Sequence, residues 1–365
     1  MYPVLCRVLI TIYKKQTLIM RTVFKHTISF LILLLTPLYI CGCLGEGDVD
    51  CDALLGRQEL TLEFKHSINP KVENIIEQIV DSIDLYVYKQ SGELLQTERL
   101  YAEQLDSTNY THTLTLTRGT YTIVAWMNSG EEYVMEETTS GFSAATHRIL
   151  CGGTRHIDHK IQSPVYYAYD NDKNDTKNED RRVVVTLDGH PKHQVLNFAR
   201  NTNNIRISTI FDRILPTGTQ IEAHITGRNG VCNFSNQFAS GCPDYTYSWY
   251  NKEVINDYRT VLGKLYYSTH NLDINTQRLW VGDDLNLTIT MTDATTRAVT
   301  VLINKPLTPL IMQNPAYYDN FQLEIFHDYL LEFVFEKDRN NWAHSEIIVN
   351  NWYTVNIEAN LDTQK

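Results

Sequence analysis

The sequence predicts an all-β protein of two tandem β-sandwich domains, with one short amphipathic helix in the first. Three observations carry this: apolar and polar residues alternate in many short segments, helical spacing is confined to one stretch, and 365 residues exceed the needs of a single sandwich. Leu60, Leu62 and Phe64 alternate with polar neighbours and give a half-buried first strand. Asn69 can cap a helix and Pro70 suits its first turn. Val72, Ile75, Ile76, Ile79, Val80 and Ile83 then recur at helical spacing and form one apolar face. Ile83 to Tyr88, a turn at Ser91-Gly92, and Glu93 to Gln96 make a hairpin. Leu114 and Leu116 lead through the Arg118-Gly119 turn to Tyr121, Ile123 and Ala125. Further strands are predicted at 183–187, 204–210, 221–226, 285–292, 297–303, 321–326, 329–336 and 353–359. The run Asp170 to Arg182 has no large apolar residue and reads as a solvated loop. It opens like a calcium loop, but Asp175 stands where the sharp turn needs Gly and Arg181 where a bidentate Glu is needed, which excludes an EF-hand. The seam falls around Phe198 to Thr202, giving domains over 59–199 and 200–365.

The N-terminus supplies the location. Residues 1–42 carry five basic side chains and no acidic ones, and Lys25-His26 precedes an apolar run from Thr27 to Ile40. At 14 residues, interrupted by Pro37, the run is short for a bilayer span of about 20 residues and fits an export signal whose true start is Met20. It ends in Ile40-Cys41-Gly42-Cys43, which resembles a bacterial lipobox and would leave Cys43 as an acylated N-terminus; the alternative is an ordinary signal with Cys43 in a disulfide. Several acyl chains hold a protein on a membrane where one does not. Residues 43–58 form the tether. From Cys43 onward 27 basic residues face 43 acidic ones, a formal charge of −16. Phosphate contacts need clustered Lys and Arg, so nucleic acid is excluded as a partner.

Cys51, Cys151, Cys232 and Cys242 remain for an oxidising compartment, and four cysteines allow three pairings. Cys232 and Cys242 are ten apart and can close locally, with Cys51 and Cys151 then stapling the first strand to a distant loop. No pair has the tight spacing of a zinc site, and no other metal or cofactor motif is present. The sequence also lacks G-x-S-x-G, H-E-x-x-H and a phosphate-cradling glycine loop. His147, Cys151, His156 and His159 form the nearest constellation, read as exposed loop histidines beside a disulfide cysteine. Glu131-Glu132 and Glu136-Glu137 read as a solvated face, and the 22 tyrosines and five tryptophans as core. No catalytic residue is assigned.

Several segments in order resemble one family. They are Leu60-Thr61-Leu62-Glu63-Phe64, Val80 through Tyr88 with Ser91-Gly92-Glu93-Leu94, Leu116 through Trp126, Phe198 through Ile205, and Asn275 through Trp280 before Leu285-Asn286-Leu287-Thr288-Ile289. With Cys43 and Cys51, they resemble the FimB-like fimbrial anchor lipoproteins of Bacteroidetes. The resemblance spans most of the mature chain and implies two transthyretin-like sandwiches and a scaffold without catalysis. It also implies a fimbrillin stalk subunit as partner, the outer membrane reached through lipid on Cys43, and a limit on fimbrial length. The histidine-rich stretch around Cys151 and the polar run at 170–182 depart from the family pattern.

Fimbriae of this kind look like sandwiches joined when an extended segment of one subunit completes the sheet of the next. A stalk subunit carries a removable strand between its lipid cysteine and a cleavable arginine. Here 15 residues, Leu44 to Gln58, separate Cys43 from the first strand, and the stretch to Asp52 is mostly Gly and acid. With no strand to remove, the chain reads as keeping its anchor although Arg57 could be cut. The acidic Glu46, Asp48 and Asp50 resemble a surface-export signal. Ile347 to Leu361, with Ile347, Val349, Val355 and Ile357, is the candidate donor or docking strand, or else the last strand of its own domain. Two further readings are a surface glycan-binding lipoprotein and a tip or accessory fimbrillin.

Overall fold

A computed structural model describes residues 56–67, 74–151, 155–170, 182–338 and 341–355. The first eleven strands are β1 (Gln58–Lys65), β2 (Ser82–Lys89), β3 (Leu94–Tyr101), β4 (Thr111–Leu116), β5 (Gly119–Met127), β6 (Tyr133–Glu136), β7 (Thr146–Ile149), β8 (His156–Ile157), β9 (Tyr166–Asp170), β10 (Val183–Leu187) and β11 (Lys192–Arg200). Eight of them form one sheet in the order β3-β2-β5-β9-β11-β1-β4, with β10 also on β5. Leu60, Leu62 and Phe64 of β1 meet Ile83, Leu85 and Val87 of β2, Ile123 and Ala125 of β5, Val183 and Val185 of β10 and Phe198 of β11 in one buried cluster, so the sheet folds over on itself as a sandwich. Among the described residues, Trp126↔Tyr167 and Met127↔Tyr166 join its two leaves through β5 and β9.

After Asn201 come β12 (Thr202–Phe211), β13 (Gln220–Gly227), β14 (Val231–Asn233), β15 (Tyr245–Ser248), β16 (Asn251–Ile255), β17 (Arg259–Val261), β18 (Lys264–Tyr266), β19 (Ser268–Gln277), β20 (Asn286–Thr292), β21 (Val299–Pro306), β22 (Asp328–Asp338), β23 (Asn341–Val349) and β24 (Trp352–Val355). A six-stranded sheet, β16-β19-β12-β22-β23-β24, faces a five-stranded one, β21-β20-β13-β15-β8. Ile205, Leu272, Leu331 and Phe333 of the first pack with Ile225, Leu287 and Tyr247 of the second. Each half repeats one pairing: its first long strand runs parallel to a late one, β1 with β11 and β12 with β22.

The halves are not separate in their packing. β8 belongs to the five-stranded sheet, and β7 pairs with β14 on one edge and β6 on the other. The second face of β2 and β5 is therefore covered as well: Tyr86 and Tyr88 meet Phe234 edge-on with centroids 5.0 and 6.1 Å apart, and the Tyr167 hydroxyl donates to the Phe234 carbonyl at 3.0 Å. β2 is consequently buried at six successive positions, Ile83 through Tyr88, rather than alternating. Asp84 within that run is satisfied by a bidentate pair with Arg99 at 2.6 and 2.8 Å. Within the second half, a Cβ on Gly230 would sit 2.5 Å from the buried Tyr245 ring, so only glycine fits there.

The structure corrects two local expectations. The helix is a single turn, α1 (Ile76–Ile79); Val80 is extended and Ile83 lies in β2, because pairing with β3 and β5 claims the β-branched residues whose spacing also suits a helix. Asn69, Pro70 and Val72 lie outside the described residues. A second short helix, α2 (Ala102–Ser107), and a third, α3 (Leu307–Ile311), follow. The strand expected at 321–326 is a fourth, α4 (Asn320–Ile325): the Asp319 side chain accepts from the Gln322 N–H at 3.0 Å and nucleates the turn.

Candidate functional site

The six-stranded sheet ends at β24. Between β23 and β24 stand Asn350 and Asn351 with φ of 45° and 66°, the left-handed pair that a two-residue hairpin turn requires. The Asn350 carboxamide is fixed on both sides: it accepts from the Leu330 N–H at 2.5 Å and donates to the Tyr317 hydroxyl and the Asp328 carbonyl. The residues flanking such a turn, Val349 and Trp352, exchange main-chain hydrogen bonds, as do Ile347 and Thr354 two positions on. The N–H and C=O groups of Tyr353 and Val355 therefore point away from β23. Among the described residues no strand pairs with that outer edge. Trp352 and Tyr353 are half exposed on it, at 49% and 48%.

These positions recast the sequence candidates. Ile347 and Val349 lie in β23, buried and flanked by β22 and β24, so the docking reading is corrected for both: a strand paired on two edges has no main-chain groups left to offer. Val355 is in the edge strand β24, and Ile357 lies outside the described residues. The residues that sequence reasoning missed are the Asn350-Asn351 turn, Trp352 and Tyr353. Two asparagines between Ile347-Ile348-Val349 and an aromatic pair were the available signal.

Cys43 and Cys51 lie outside the described residues. Cys151, Cys232 and Cys242 are free thiols, so the local Cys232–Cys242 bridge expected from spacing is not formed. In β14 Cys232 stands opposite Phe238, and the Cys242 thiol donates to the Pro243 carbonyl at 3.4 Å. Burial pushes the Cys232 thiol up to about 11 and raises that of Cys242 as well, which keeps both protonated and unreactive at neutral pH.

His147 is not an exposed loop residue. It lies in β7, stacked on Trp126 at 3.9 Å and on Tyr133 at 4.8 Å, and burial lowers it to about 3. His156, in contrast, is exposed on β8 and shares the Ser248 hydroxyl with His224 at 2.6 and 2.7 Å. Cys151 is not joined to any of these histidines in a nucleophile arrangement. A buried neutral histidine makes stability pH-dependent with a defined sign. The unfolded chain takes up a proton below about 6.5 while the folded one resists until about 3, so stability falls as pH drops through that window. We expect His147→Phe, which preserves the stack, to flatten the acid limb by up to about 1.4 kcal/mol per pH unit. Urea midpoints measured between pH 4 and 7 check this, and parallel curves for the two proteins would refute it.

The family profile described as fimbrillin-A associated anchor proteins Mfa1 and Mfa2 matches residues 48–358. The chain belongs to this family. Among solved structures, the fimbrial anchor protein Mfa2 from Porphyromonas gingivalis aligns with a TM-score of 0.62 and 18% identity over 82% of this chain and 99% of that one. A candidate adhesin from Bacteroides thetaiotaomicron aligns at 0.64 and 19% identity over 83% and 99%. A protein of the same organism described as a candidate polysaccharide-binding protein aligns at 0.63 and 18% over 83% and 100%. No curated protein sequence matches. At such identities the structures show a shared fold, while the profile establishes a fimbrial anchor family of structural proteins associated with fimbrillins and the cell envelope. Among the described residues no helix is long and apolar enough to cross a membrane.

Proposed function

We propose that this Mfa2-family protein anchors fimbriae at the outer membrane, held there by lipid on Cys43 and joined to the first fimbrillin by strand addition at the free edge of β24. The observation that carries the attachment is the outer edge of Tyr353 and Val355, unpaired among the described residues, at the margin of a sheet in which β19, β12, β22 and β23 are paired on both sides. An added strand would gain main-chain hydrogen bonds there, and alternating side chains beside Trp352 and Tyr353 would set its register. A base held by lipid and closed by one such junction also limits growth from that end. The export signal and the lipobox-like Ile40-Cys41-Gly42-Cys43 support the membrane half of the reading.

Tyr353→Pro tests it. Proline removes one outward N–H and leaves the hydrogen bonds to β23 in place, a position at which an edge strand tolerates proline. The expected result is a tenfold or greater loss of fimbrillin copurifying with the anchor, at an unchanged melting temperature. Copurification equal to that of the parent would overturn attachment at β24.

A further inference from the structure

The outer face of the six-stranded sheet carries rows of planar polar side chains tied across the strands. Arg206 on β12 donates through Nε and Nη2 to Asp273 on β19, at 2.7 and 3.1 Å, and Asn251 on β16 donates to the same carboxylate at 2.8 Å. In the next row Asn275 donates to Asn204 at 2.5 Å and Asn204 donates to Asp328 at 2.7 Å. The Asn275 carbonyl oxygen in turn accepts the Ile161 N–H at 2.9 Å, which ties the loop bearing Lys160 to this face. Of these, Arg206, Asp273, Asn204, Asp328 and Lys160 line a cleft of about 470 Å³ together with Tyr250, within the range of small-ligand sites.

We propose that this cleft binds a neutral oligosaccharide. The mutual bonds fix the side chains but leave capacity unused: Arg206 commits only two N–H groups, Asp328 accepts from a single carboxamide, and neither the Lys160 ammonium nor the Tyr250 hydroxyl has a partner among the described residues. Free donors and acceptors thus alternate at short range along a rigid wall, which matches a row of sugar hydroxyls, each both donor and acceptor. The half-buried Tyr250 ring offers an apolar plane to the C–H face of a sugar. Lys160 and Arg206 offset Asp273 and Asp328, so the cleft has no net formal charge, and two carboxylates disfavour a phosphate or polyanion. An apolar ligand would strand the polar wall without water. This reading is independent of attachment at β24.

The test is affinity electrophoresis of the mature full-length chain in native gels cast with mannan, β-glucan or galactan, and with polygalacturonate as the acidic comparison. Retardation is expected in at least one neutral gel, falling tenfold or more in Tyr250→Ala and in the Lys160→Ala/Asp328→Ala double variant. Melting temperatures confirm that the variants fold. No retardation in any neutral gel, retardation by polygalacturonate alone, or binding that survives both cleft variants would each overturn the proposal. Fibre retention by cells should be the same for the cleft variants and the parent, so failure here leaves the anchor reading untouched.

Discussion

Replacing Cys43 by alanine is expected to move fimbrial protein from the cell pellet into the medium, by tenfold or more on immunoblots of the two fractions. Each buried methylene of an acyl chain contributes about 0.8 kcal/mol, and stable membrane binding needs more than one chain. In the proposed anchor the substitution removes the attachment point for all of them at once. Cys43 precedes β1 by the whole tether, so the folded part should melt at the parent temperature. Fibres that stay on the cell with unchanged length would show that this protein does not hold them. The glycan-binding or accessory-subunit reading would then account better for it.

Trp126→Ala is expected to cost about 3–5 kcal/mol of folding stability. Trp126 is fully buried, stacked on His147 with ring planes 8° apart and edge-on to Tyr167 at 4.9 Å. Its cluster extends from Tyr86 in the first half to Val349 in the second, so the loss should be felt by both halves in one unfolding transition. The indole N–H makes no hydrogen bond among the described residues, so Trp126→Phe gives up packing alone and should cost less than half as much. Coincident circular dichroism and fluorescence transitions in denaturant would confirm the coupling. A midpoint equal to the parent's in Trp126→Ala would remove Trp126 from the core that joins the halves.

Where one face of a strand meets water, the sequence was readable. Val183, Val185 and Leu187 are buried while Val184 is 41% exposed, and the strand occupies the residues that alternation predicts. Reading failed where both faces are covered or where polar residues are buried in pairs. β19 was invisible because Thr269, His270, Asn275 and Thr276 are buried beside Leu272 and Ile274, so polar residues stand where alternation places apolar ones. The alternation of Phe321, Leu323 and Ile325 was overridden by the Asp319 cap. The predicted hairpin from Ile83 appears as β2 and β3, yet nothing local in it announces that Tyr86 and Tyr88 face a second core.

The sequence by itself determined the all-β class and the family, and it supplies the lipobox-like segment on which the proposed anchoring rests. Each depends on residue type and order along a single segment, which local physics reads directly. Only the tertiary structure decided that Ile347 and Val349 are sealed within their sheet while Tyr353 and Val355 offer an edge no described strand covers, that Cys232 and Cys242 stay apart, and that Arg206, Asp273, Asn204 and Asp328 share one cleft. A strand's edges are free or paired according to partners far away in sequence, and the main-chain groups that make an edge adhesive are identical at every residue.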